Sequence, residues 1–91
     1  MDDRFNAVRV LENSYSISIV LFIYGNEGCT KGDIYTSLTK YSRMPDKISD
    51  LEDAGLIRSV NEGRAVRLYL TDAGREIGSH LSVVADIMCP T

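Results

Sequence analysis

The sequence is poor in metal ligands, in long apolar runs and in catalytic motifs, and each shortage removes a class of protein. It holds one histidine, His80, and two cysteines, Cys29 and Cys89, which form no C-x-x-C. A zinc site is not expected from so sparse a set, and no metal is implied. The cysteines read as one small buried thiol and one thiol in a frayed tail. A disulfide between them is not expected in a reducing compartment. The longest apolar run, Ile19 to Tyr24, falls far short of the roughly eighteen residues that suggest a membrane span. The N-terminus, MDDRFNAVRV, has acids where a signal peptide has bases, and no apolar h-region follows. A cytoplasmic protein is expected. No Gly-rich phosphate loop, H-E-x-x-H or G-x-S-x-G occurs, so enzyme chemistry is not expected and no cofactor is implied.

What is present is an ordinary globular composition in 91 residues, enough for one small domain. The net charge of −3 is unevenly spread. Residues 1–29 carry two bases and four acids, and residues 71–91 carry one base and three acids. Residues 30–70 carry seven bases and six acids, the only part that is not acidic. Three of those bases, Arg58, Arg64 and Arg67, crowd around one turn in IRSVNEGRAVRLYLT.

The periodicity predicts mostly α structure with a small β-hairpin. Asp2 to Glu12 reads as a short helix with Phe5, Val8 and Leu11 on one side. Asn13 or Ser14 caps a second helix, whose Ile17, Val20, Leu21 and Tyr24 form one apolar face and whose Ile19, Phe22 and Ile23 form another. A helix apolar on both sides needs cover on both sides. Gly25 and Gly28 end it. Thr30 with Asp33 three residues later makes a near capping box for a short helix carrying Ile34 and Leu38. A further helix begins at Ser42, with Pro45 in its first turn and Met44, Ile48 and Leu51 facing inward. Gly55 ends that helix as a left-handed cap. Two strands, Ile57 to Val60 and Ala65 to Leu70, flank a turn at Asn61-Glu62-Gly63. On the second strand Val66, Leu68 and Leu70 alternate with Arg67 and Tyr69, giving one buried and one wet face. Thr71 caps a last helix with an apolar seam at Ile77, Leu81, Val84 and Met88. Their spacing of four, three and four suits a helix-to-helix contact. His80 beside that seam reads as a flanking polar residue.

Short helix, turn, helix and hairpin together make a helix-turn-helix with a wing. The stretch LEDAGLIRSVNEGRAVRLYLTDAGRE resembles the second half of a winged-helix transcriptional regulator of the MarR-like kind, small archaeal regulators included. The matching motifs are Leu51-Glu52-Asp53-Ala54-Gly55-Leu56-Ile57 before the wing and Leu70-Thr71-Asp72-Ala73-Gly74 after it. The resemblance implies one winged helix-turn-helix domain over 1–91, with its core at about 15–71 and a dimerisation helix at about 72–88. It implies binding to double-stranded DNA and a small-molecule effector near a dimer interface; the seam at Ile77, Leu81, Val84 and Met88 suggests a homodimer through the last helix, while the competing reading folds that helix back on its own subunit and gives a monomer.

In such proteins the helix at 42–54 enters the major groove and the wing at 57–70 lies on the backbone and minor groove. That places Ser42, Arg43 and Ser49 at base edges and Arg58, Arg64 and Arg67 on the wing. Lys31 and Lys40 hold phosphates at the two ends of the preceding helix. Arginine suits the wing because its guanidinium grips phosphate bidentately. The bland reading is that the arginines keep a sheet edge soluble and that the lysines are solvated charges. One departure stands out. The reading helix carries Asp46 and Asp50, which accept from a cytosine amine but also repel phosphate. Those aspartates keep a second expectation in view: a winged-helix protein-interaction module that touches no DNA.

Overall fold

The computed structural model describes residues 3–38 and 43–89. Five α-helices and three short strands follow one another among the described residues. They are α1 (Asp3–Ala7), a 3-10 turn (Arg9–Glu12), α2 (Ser16–Gly25), β1 (Cys29–Thr30), α3 (Lys31–Ser37), α4 (Met44–Asp53), β2 (Ile57–Glu62), β3 (Ala65–Leu70) and α5 (Asp72–Met88).

Helix α2 is the centre of the molecule and packs against α4, α5 and β3. Its Ile19, Val20 and Ile23 are completely buried. This corrects the expected face, since Ile17 and Tyr24 lie exposed while Ile19 and Ile23 are covered by the chain's own elements. A segment apolar on every side gives spacing nothing to choose between, and the partners decide. The start also differs. Tyr15, in the left-handed region at φ 69°, precedes α2, and neither Asn13 nor Ser14 caps it. Ser16 follows, fully buried, with its hydroxyl unpaired.

The expected N-terminal helix is broken at Val8. Leu11 donates its N–H to Val8 three residues back, which tightens the second half into a 3-10 turn. The β-branched Val8 and Val10 favour α-helix weakly there. Val10 and Leu11 reach the core, but Phe5 and Val8 stay exposed.

The middle of the chain follows its local signals. Thr30 and Asp33 form a reciprocal capping box at the start of α3. Pro45 sits in the first turn of α4, where it removes no helical hydrogen bond. Helix α4 starts at Met44, with Arg43 in the cap position; Ser42 lies outside the described residues. Met44, Ile48 and Leu51 are fully buried, each contributing about 1.5–3 kcal/mol by leaving water. Gly55, at φ 81°, ends the run as a left-handed residue.

The expected two-stranded hairpin is an antiparallel sheet of three strands in the order β1-β3-β2. Cys29 pairs with Leu68 and Thr30 with Arg67, so two residues before α3 extend the wing. A two-residue strand has too little sequence to show period-two alternation, which is why the pattern hid it. The turn also shifts. Glu62 pairs with Ala65, leaving Gly63-Arg64 as the two-residue loop, with Gly63 at φ 60°. A glycine first in such a loop suits a type II′ turn.

Helix α5 is fastened at its start. The Thr71 hydroxyl accepts from the Gly74 N–H and donates to the Gly55 carbonyl. Gly74 is buried so tightly that a Cβ there would run into the Leu56 carbonyl oxygen. Gly78 lies flat against the Tyr24 ring, where a Cβ would come within 2.8 Å of ring carbon.

Candidate nucleic-acid interface

Residues paired across antiparallel strands share a face. Arg58 stands opposite Tyr69, Val60 opposite Arg67, and Thr30 opposite Arg67 on the other side. These form the outer face of the sheet, while Ile57, Leu68 and Leu70 form the buried one. The predicted alternation on β3 is therefore real, and two of the three wing arginines lie on its outer face.

The three arginines are not equivalent. The Arg58 guanidinium carbon lies 4.7 Å from the centre of the Tyr69 ring, a cation-π contact that leaves its N–H groups free. Arg67 is engaged within the sheet: its Nε lies 2.7 Å from a Glu62 carboxylate oxygen, and its Nη1 donates to the Gly28 carbonyl at 2.8 Å. Arg64 occupies the turn itself, exposed, and makes no hydrogen bond or ion pair among the described residues. The apex of the wing is thus an unpaired cation.

Lys31 begins α3 and is half-buried, directly after the capping threonine. Lys40 lies outside the described residues, as does Ser42. Arg43 and Ser49 are both exposed at α4, with Arg43 at its start. The motifs do not single out Lys47, a further cation half-buried in the first turns of α4. Its position between the buried Met44 and Ile48 is the one signal for it in the sequence.

Asp46, Asp50 and Asp53 are exposed, spaced four and three apart, and unpaired among the described residues. They lie on one side of α4, the side opposite Met44, Ile48 and Leu51. Glu52 is turned aside, accepting the Ser59 hydroxyl at 2.8 Å and so tying α4 to β2.

Behind the wing lies a second polar group that no local motif announced. Glu27, in the loop after α2, accepts the Leu70 N–H at 2.9 Å with one carboxylate oxygen and the Arg75 Nε at 3.0 Å with the other. The Arg75 guanidinium holds the Glu27 carboxyl below the usual glutamate range. Nearby, burial pushes the Cys29 thiol up, with the Asp33 carboxylate adding to it.

The α5 seam splits in two. Ile77 and Leu81 pack against the chain's own core. Val84 and Met88 are exposed, Met88 at 79%, together with Val83 and with Ile87 at 73%. The expected four-residue interface is thus half committed within the chain, and Ile87 joins the free half.

Among the described residues no helix is long and apolar enough to cross a membrane, and no three His, Cys, Asp or Glu side chains come together to hold a metal ion. The sequence matches no family model and no curated protein. Solved structures do match. A protein of Archaeoglobus fulgidus superposes with a TM-score of 0.74 at 24% identity, over 92% of this chain and 98% of its own. A possible HxlR family transcriptional factor from Thermoplasma volcanium superposes at 0.76 and 21%, over 97% of this chain and 83% of its own. A MarR family transcriptional regulator from Silicibacter pomeroyi superposes at 0.74 and 23%, over 93% of this chain and 63% of its own. What is shared at such identities is the fold, and the fold is the winged helix-turn-helix.

Proposed function

We propose that the chain is a transcriptional regulator that binds double-stranded DNA as a homodimer. The observation that carries this reading is the unpaired Arg64 at the wing apex, beside Arg58 on the outer sheet face. A free guanidinium on a two-residue turn is suited to phosphate, whose neutralisation supplies most nonspecific affinity. Arg43 at the start of α4, with Ser49 a few residues on, supplies the base-edge contacts. Lys31 and Lys40 add backbone contacts, and Arg67 braces the wing.

The exposed Val84, Ile87 and Met88 fall at helical spacing and support pairing through α5 with a second copy. The exposed Phe5 and Val8 of α1 extend the apolar surface available for it. A two-fold pair would present two α4 helices to successive major grooves, roughly 34 Å apart. A small-molecule effector would act near that interface.

A second reading has its own support. Asp46, Asp50 and Asp53 form an unpaired acidic side on α4, which repels phosphate and suits a protein-interaction module. Fluorescence anisotropy decides between them, using duplex DNA from upstream of the chain's own gene at two salt concentrations. Tight binding that falls steeply with salt supports the regulator. No binding at the lower salt supports the interaction module.

A further inference from the structure

Strand β3 ends at Leu70 and helix α5 begins at Asp72, so a single residue, Thr71, joins the wing to the last helix. Glu27 straddles that joint. One carboxylate oxygen takes the Leu70 N–H on the wing side, and the other takes the Arg75 Nε on the helix side. The neighbouring Gly28 carbonyl takes Arg67 Nη1, and the Gly28 N–H pairs with the Leu68 carbonyl. The loop at Glu27-Gly28 thus grips both the wing and α5.

The other fastenings of α5 to the wing strand are apolar: Gly74 packs on Leu70 as well as Leu56, and Ile77 and Leu81 pack on the core that holds Leu68 and Leu70. Thr71 bonds to Gly55, and Gly78 packs on Tyr24. These hold α5 to the end of α4 and to α2. Glu27 adds the polar bridge that spans Thr71, taking a donor from each side of the joint.

From this geometry we infer that Glu27 and Arg75 are positioning residues that lock the wing to α5 and so set the distance between the two wings of a dimer. The inference deepens the proposed function and rests on it for the DNA consequence. The joint itself can be tested without DNA. Arg58 and Asp72 are the other charged groups around this pair, and both leave the Glu27–Arg75 contact as the shortest bridge across the joint. One carboxylate with two separate acceptors is needed, because an amide side chain presents only one acceptor oxygen.

The test uses the full chain with Cys89→Ser and nitroxide labels at Asn61→Cys on the wing and Asp86→Cys on α5, the buried Cys29 being left in place. Labelled chain is diluted into excess unlabelled chain, so only distances within one chain are read. The parent is expected to give one narrow distance peak. Glu27→Gln and Arg75→Ala are expected to lose that single peak and spread over several distances, while their melting temperatures move little. Arg75→Lys should restore part of the peak. Exchange of the Leu70 amide should speed up by about fivefold in Glu27→Ala, whose acceptor is gone, and stay near the parent rate in Arg75→Ala. A brace with a merely structural role would lower the melting temperature and leave the distance peak narrow. That outcome, in Glu27→Gln and Arg75→Ala alike, overturns the proposal, whatever happens to Glu27→Ala. A DNA arm follows: parent and variants are titrated on duplexes whose two half-sites are moved apart stepwise. The parent should prefer one spacing and the variants should tolerate several. Failure of the parent to bind any duplex rejects the DNA reading alone, because the distance measurement still decides the joint.

Discussion

The Arg58 guanidinium carbon lies over the Tyr69 ring, 4.7 Å from its centre, on the outer face of the wing. That contact makes no use of its N–H donors, whereas Arg67 beside it spends its donors on Glu62 and Gly28. Neighbouring arginines of one hairpin therefore have different work. Arg67→Ala is expected to loosen the wing and lower the melting temperature. Arg58→Ala should leave the fold largely unchanged and weaken binding to any duplex. Calorimetry beside anisotropy separates the two.

Arg64→Ala should weaken DNA binding across all sequences, since a cation at a turn reads phosphate rather than bases. The plot of log affinity against log salt should flatten by roughly 0.9 for each phosphate that is no longer neutralised. An unchanged slope would assign Arg64 to solubility.

Gly74→Ala should be among the most damaging single changes available. The added carbon meets backbone, the Leu56 carbonyl oxygen, which cannot swing away as a side chain can. Overpacking of this kind costs about 1–3 kcal/mol. In a domain of this size that lowers the melting temperature by roughly 4–8 °C per kcal/mol, which thermal denaturation by circular dichroism measures.

Acid should release the Glu27 joint. The folded carboxyl ionises below the ordinary glutamate value because Arg75 and the Leu70 N–H stabilise its charged form. A depressed folded value means the stabilisation is fully present above the ordinary value, about 4.3, and fades as pH falls through the lower folded value. Stability against urea, followed from pH 6 downward, should decline less steeply in Glu27→Gln than in the parent. Parallel curves would show that Glu27 contributes nothing through its charge.

The free half of α5 makes the assembly testable by substitution. Ile87→Asp should give a monomer in light scattering at micromolar concentration with an unchanged melting curve in its dilute state, because Ile87 is exposed and lies outside the core cluster. Leu81→Asp should instead unfold the chain, since Leu81 packs against the core and a charge there lacks a partner. A full-length chain already monomeric at that concentration would reject the dimer.

The parts of this fold visible in the sequence are those governed by neighbouring residues. Thr30 and Asp33 stand three apart and form their capping box; Pro45 opens α4; Gly55 closes it; Met44, Ile48 and Leu51 face inward as their spacing requires. What escaped depends on distant partners. Which side of α2 is buried is decided by α4, α5 and β3, and the two residues of β1 become a strand only because β3 lies alongside. The candidate site divides the same way. Sequence order already put Arg64 and Arg67 at the tip and outer face of the wing, but only the folded structure shows Arg67 engaged with Glu62 and Gly28 while Arg64 is left unpaired. Glu27 and Arg75 are far apart in sequence and belong to no motif, so nothing local could pair them.

Helix α5 closes the core with its first half and leaves its second half bare. Because Ile77 and Leu81 already find their cover at home, a newly made chain can finish folding before it meets a copy of itself. In the proposed dimer, association would then be a separate event, set by concentration and not by the folding pathway. If the proposed pairing holds, exchanging Val84, Ile87 and Met88 would change the partner while leaving intact the body that carries the wing.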